Sequence, residues 1–156
     1  MAVMGMGEVR QIGDPRIIYT RPENAFVAGF IGETNFIEGT LAATDPDIQI
    51  ETAMGTLHSS VEPPKNLEIG AQVMCSIRPE AMQIDTSGVS EQSNRVQAEV
   101  AQIMYLGEHE QYTMKLNEDL YVKLIDPYPD QSKAQTGDTV WLTFDASYVV
   151  VLKDTD

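Results

Sequence analysis

Two periodicities divide the chain. Between residues 13 and 32 apolar positions recur at helical spacing. From Phe36 onward they alternate in short runs broken by Gly, Pro, Asp and Asn, the pattern of half-buried antiparallel strands. Ahead of both, "MAVMGMGEVRQIG" reads as strand, turn, strand, an apolar hairpin whose open edge invites pairing. It is expected to fold back on the helices that follow or to pair with a second chain. "PRIIYTR" predicts a short helix with Asp14 as N-cap and Pro15 at its first position. Pro22 interrupts that helix and starts another, "PENAFVAGFIG". There Glu23 suits the positive end, Phe26, Val27, Phe30 and Ile31 form one apolar face, and Gly32 closes the last turn.

The strand region falls into two sets. "FIEGTLAA", "IQIET", "GTLHSS", "QVMCSI" and "AMQID" make the first, closed by the polar loop "TSGVSEQSN". "NRVQAEVAQIMYLG", "EQYTMKL", "LYVKLID", "DTVWLTF" and "SYVVVL" make the second. In the long strand Val96, Ala98 and Val100 alternate, but the apolar positions resume at Ile103 and Tyr105, which places a bulge or sharp bend near Ala101–Gln102. "IGAQVMCSIRPEAMQI" aligns with "TGDTVWLTFDASYVVV" at a constant offset of 67 residues, matching Gly70 to Gly137, Val73 to Val140, Ile77 to Phe144 and Met82 to Val149. The pattern predicts a mainly β fold: tandem OB-like small barrels built from a duplicated five-strand unit, preceded by a β-hairpin and a short kinked helical pair. Neither unit has much core alone, so strands are expected to be exchanged or packed between them.

Charge narrows the function classes. The chain of 156 residues carries a formal net charge of -14. After residue 35, seven Lys and Arg face twenty acids, so the basic groove that single-stranded nucleic acid requires is missing. Cys75 is the one cysteine, which rules out an intrachain disulfide and a cysteine-built zinc site and fits a reducing compartment. No apolar run approaches the roughly 20 residues of a membrane span. The chain reads as soluble and cytoplasmic.

The candidate chemistry is sparse. There is no Gly-x-x-x-x-Gly-Lys phosphate loop and no Gly-x-Ser-x-Gly elbow. In "GEHEQ", a strand would point Glu108 and Glu110 one way and His109 the other, so the three do not chelate together. Cys75 lies on the buried face of its strand, where a thiol behaves as a small hydrophobe. "IRPEAM" differs from these. Pro79 ends a strand and pushes Arg78 into an extended conformation, leaving Arg78 and Glu80 to pair, to bond a neighbouring loop, to face a partner, or simply to fix the corner.

The stretch "GEVRQIGDPRIIYTRPENAFVAGFIGETNFIEG" resembles the segment that follows the nucleotide-binding core in ATP-binding subunits of ABC importers. Gln11, Gly13, Pro15, Ile18, Tyr19, Pro22, Phe26, Val27, Ala28, Phe30, Gly32 and Asn35 match that pattern position by position. "SIRPEAM" and "TGDTVWLTFDASYVVVL" resemble the family's C-terminal regulatory domain, the transport-associated OB domain. The resemblance implies a tail of the ATPase domain and helical linker over 1–34, and a regulatory double OB-like domain over 35–156. The Walker A, signature and Walker B motifs of such subunits are missing here, so ATP and magnesium would belong to a longer parent and no cofactor to this stretch. Its role would be contact and coupling: a homodimer through the regulatory domain, permease subunits reached through the parent, a regulatory protein or solute as further partner, no nucleic acid, and a place at the inner face of the cell membrane. Arg78, Glu80, Asn35, Tyr105 and His109 are the interface or regulatory candidates. The subgroup it looks closest to imports polyamines such as spermidine and putrescine, or ferric iron. The alternative is a sensor that binds a small oxyanion or metal between its barrels.

Overall fold

The computed structural model describes residues 1–88, 91–127 and 129–153; Val89 and Ser90 of the predicted polar loop, Tyr128 and the last three residues lie outside it. The chain opens with hairpin β1 (Ala2–Gly5) and β2 (Glu8–Ile12). Met6 and Gly7 between them both have positive φ, 53° and 81°, as the primed hairpin turns require. Helix α1 (Pro15–Thr20) starts where expected, with the Asp14 carboxylate accepting the Arg16 N–H at 2.8 Å.

Helix α2 departs from expectation in three ways. It spans Ala25–Ile31, so Pro22 and Glu23 lie outside it, because the Asn24 side chain caps it by accepting the Val27 N–H at 3.0 Å. Its buried residues are Val27 and Ala28, while Phe26 and Phe30 stack on its outer side with ring centroids 5.7 Å apart. The helix is wedged between the hairpin and the barrel, and its inner face turns accordingly. Val27 meets Val3, Ile18 and Ile31 in a small separate core, whereas Ala28 meets Val150 and Leu152. The hairpin thus lies back on the helices through Val3, and an ideal Cβ at Gly5 would sit 2.6 Å from the Phe26 ring. Finally, Gly32 closes α2 in extended backbone, φ -179°, so no left-handed cap satisfies the last carbonyls.

The strands follow as β3 (Asn35–Ala43), β4 (Ile48–Thr52), β5 (Gly55–Ser59), β6 (Gln72–Ile77), β7 (Gln83–Asp85), β8 (Asn94–Tyr105), β9 (Glu110–Lys115), β10 (Tyr121–Asp126), β11 (Thr139–Phe144) and β12 (Val150–Lys153). The β8–β9 register shifts between Val100 and Gln102, the bulge anticipated from the slipped alternation. β7 and β12 are shorter than predicted for one reason: a 3-10 turn precedes each, Pro79–Ala81 and Ala146–Tyr148.

These two crossover turns explain the topology. The sheets run β12-β6-β3-β4-β5 and β10-β9-β8-β11-β7. After β6 the chain therefore leaves the first sheet to add β7 to the second, and after β11 it leaves the second to add β12 to the first. Each barrel borrows its last strand from the other half of the duplication. One continuous apolar cluster spans both, from Ile37, Leu41 and Ile50 through Cys75 and Ile77 to Val100, Tyr112, Leu142 and Phe144. Sharing one core is how two units of this size bury enough apolar surface. Burial pushes the Cys75 thiol up to about 12.

Candidate functional site: the clasp between linker and barrels

Paired asparagines open the two long strands. Asn35 accepts the Lys123 N–H at 2.8 Å and donates to the Lys123 carbonyl at 2.8 Å. Asn94 accepts the His58 N–H at 2.7 Å and donates to the His58 carbonyl at 2.9 Å. Each amide imitates a strand partner and fastens the long strand of one half to the third strand of the other, since Lys123 lies on β10 and His58 on β5. Asn35 is therefore a bracket between halves.

Arg78 stands at the N-cap of the first crossover turn. Its Nη1 donates to the carbonyls of Ala28 (2.9 Å), Gly32 (2.9 Å) and Glu33 (3.0 Å), and its Nη2 to that of Tyr19 (3.2 Å). The guanidinium also lies 4.2 Å from the centroid of the Tyr19 ring, a cation–π stack. This one side chain thus takes up a last-turn carbonyl of α2, at Ala28, and the two carbonyls that follow the helix, at Gly32 and Glu33. Two residues on, Glu80 accepts the Tyr19 hydroxyl, and Lys123 pairs with Glu33. Among the expectations for "IRPEAM", bonding a neighbouring segment is seen in these hydrogen bonds.

Tyr19, Arg21, Pro22, Arg78, Glu80 and Tyr148 are among the residues around a cleft of about 380 Å³ where the linker meets both crossover turns. The Tyr19 hydroxyl is pushed up to about 12, first by burial and then by the hydrogen bond to Glu80 and that carboxylate's charge, against a lowering from the Arg78 cation. The folded chain thus favours the neutral phenol. Its contribution is whole below the ordinary tyrosine value near ~10 and is lost as pH rises through about 12. An ultraviolet difference titration of wild type against Tyr19→Phe is expected to show the missing phenolate step near about 12; a step near ~10 would contradict the clasp.

Tyr105 and His109 do not join this site. They flank the β8–β9 turn, Tyr105 65 % exposed beside the exposed Met104 and Leu106, with the His109 carbonyl accepting the Leu106 N–H at 2.9 Å. Among the described residues no group of three or more His, Cys, Asp and Glu is placed to hold a metal ion, nor is any helix long and apolar enough to cross a membrane. Sequence reasoning missed Tyr19, Lys123 and Asn94 as site members. Tyr19 and Asn94 had a signal: Tyr19 stands in the stretch that carries the resemblance, and Asn94 opens the second long strand as Asn35 opens the first.

The interlaced sheets and the crossover turns define the class: a strand-exchanged double OB barrel with a helical linker latched to it. A solved structure with the same architecture is the cytoplasmic molybdate-binding protein ModG, which aligns over 75% of this chain and 94% of its own at a TM-score of 0.64 and 17% identity. The family model of the TOBE domain matches residues 75–152, and the chain belongs to that family. Relatives include the spermidine/putrescine import ATP-binding protein PotA of Rubrobacter xylanophilus, 32% identical over 157 residues (97% of this chain, 40% of that protein), and PotA 1 of Pseudomonas aeruginosa, 32% identical over 154 residues (99% and 41%). The chain spans about two fifths of the length of these relatives.

Proposed function

We propose that this chain is the regulatory module of an ABC importer ATPase whose cargo is a polyamine of the spermidine and putrescine class. The observation that carries the reading is the likeness over nearly the whole chain to relatives named as import ATP-binding proteins. In this reading ATP and magnesium are held by the remainder of the parent protein, which engages permease subunits at the inner face of the membrane. The module itself acts by contact. Residues 1–34 are the tail of the ATPase domain and the linker; residues 35–156 are the regulatory double barrel. That division is supported by the separate small core of the linker around Val3, Ile18 and Val27. A second copy pairs with the module along a two-fold axis, which keeps two parent subunits together while their catalytic parts move.

The test is a chimera in which this chain replaces the matching region of the Rubrobacter relative, placed in cells that lack their own polyamine-import ATPase. Uptake of labelled spermidine is expected to return. A chimera that is folded and hydrolyses ATP but imports nothing would overturn the reading. The sensor alternative draws on the cleft between the crossover turns, and a thermal-shift panel of molybdate, sulfate, ferric ion and spermidine separates it: on the module reading, molybdate and ferric ion leave the melting temperature unchanged.

A further inference from the structure

The internal duplication supplies a control for Arg78. The segment from β6 through the first crossover turn repeats, 67 residues later, as β11 and the second crossover turn. The position equivalent to Arg78 is Asp145. Both residues have the same backbone, φ -68° and ψ 141° at Arg78 against φ -75° and ψ 148° at Asp145. The second turn is capped by its own aspartate, whose carboxylate accepts the Ser147 N–H at 2.8 Å. The first turn has no side-chain cap. An aspartate is the ordinary solution for such a turn, and the second half shows that this fold accepts it. Arginine at the first turn therefore forgoes a local hydrogen bond, and its four donor contacts all go to the linker.

The rest of the seam is thin: beside Arg78, its polar ties are the Tyr19 hydroxyl on Glu80, the Thr34 and Ser76 hydroxyls 2.7 Å apart, and one surface ion pair. The apolar contact between α2 and the barrel is Ala28 against Val150 and Leu152, with Ala25 and Met74 at its margin. The linker's own core does not merge with the core of the barrels. The Lys123–Glu33 pair is exposed on both sides, and such pairs hold little. The crossover turn, by contrast, joins β6 of one sheet to β7 of the other, so a side chain rooted there is fixed to both barrels at once.

From this geometry we infer that Arg78 is a coupling residue: it fastens the helical linker to the crossover between the barrels and sets the linker's orientation, and the barrel fold does not need it. On the module reading, this joint carries displacement between the ATPase core and the regulatory domain.

Amide hydrogen exchange followed by mass spectrometry on the intact chain tests the inference, with Arg78→Asp and Arg78→Lys as variants. Arg78→Asp installs the cap that the second turn already uses. It is expected to fold, to speed exchange in residues 15–34 by about tenfold or more, and to leave β3, β6 and β8 within about twofold of wild type. Arg78→Lys is expected to fall between, because an ammonium lacks the planar fork that reaches several carbonyls together. Linker protection unchanged in Arg78→Asp would overturn the inference, as would equal losses in linker and strands, failure of that variant to fold, or a lysine variant equal to wild type. Exchange is read on this chain alone, so its outcome is independent of the importer reading.

Discussion

Asn94→Ala is expected to lower the unfolding free energy by about 2–4 kcal/mol, since it removes two hydrogen bonds and leaves the part-buried N–H and carbonyl of His58 unpaired, at ~1–3 kcal/mol each. Asn94 is 2% exposed, and both its bonds go to the backbone of His58. Water does not readily replace them at a junction closed by two sheets. For a chain of this length the corresponding fall in melting temperature is roughly 4–16 °C. Asn94→Asp gives a sharper comparison. It retains an acceptor for the His58 N–H but loses the donor to the His58 carbonyl and buries a charge, so it is expected to be no better than alanine. Urea unfolding followed by circular dichroism measures both. A loss below about 0.5 kcal/mol in Asn94→Ala, the range of ordinary surface substitutions, would mean that the bracket does not hold the halves together.

The second large effect is expected at the residue opposite Asn94. Phe144 ends β11, pairs with Asn94 across the ladder, and is 1% exposed within the cluster that spans both barrels. Phe144→Ala is expected to cost about 3–5 kcal/mol, the transfer of the ring plus the cavity left behind. The manner of unfolding matters as much as the size. The single tryptophan, Trp141, lies on β11, so its fluorescence reports the second sheet, while far-ultraviolet dichroism averages over both. In a chain with one shared core the two signals lose structure together, in the variant as in wild type. If Trp141 fluorescence changed at a lower urea concentration than dichroism, the barrels would be separate folding units and the exchanged strands a minor tie.

The strands were legible because their signal is local. Alternation placed nearly every strand, and the slip after Val100 located the bulge that the β8–β9 register contains. The exchange between halves was anticipated only as a need for core, since nothing in "IRPEAMQID" or "FDASYVVVL" states which sheet the last strand joins; that is settled by the direction each crossover turn takes. The face of α2 was misjudged for a related reason. Helical spacing grouped Phe26 and Phe30 with Val27, but a seven-residue helix gripped from two sides buries the positions that its neighbours reach. The clasp was half legible. The proline after Arg78 announced an extended arginine at a strand exit, but its partners lie 45 to 59 residues away in sequence, and no local pattern encodes them.

The opening hairpin also has its place. Val3 covers Ile18 and Val27, while Met4 and Val9, partners across the ladder, face outward at 55% and 53% exposure. One face of the ribbon is thus satisfied within the chain.

On the proposed reading this chain works by contact, transmitting displacement through the linker to the double barrel. The measurement that bears on it most directly is the ratio of spermidine imported to ATP hydrolysed by the Rubrobacter chimera in proteoliposomes, compared with the same chimera carrying Arg78→Asp. Hydrolysis is expected to persist in both, and the ratio to fall when the clasp is cut. An unchanged ratio, with the linker shown to be released, would contradict it.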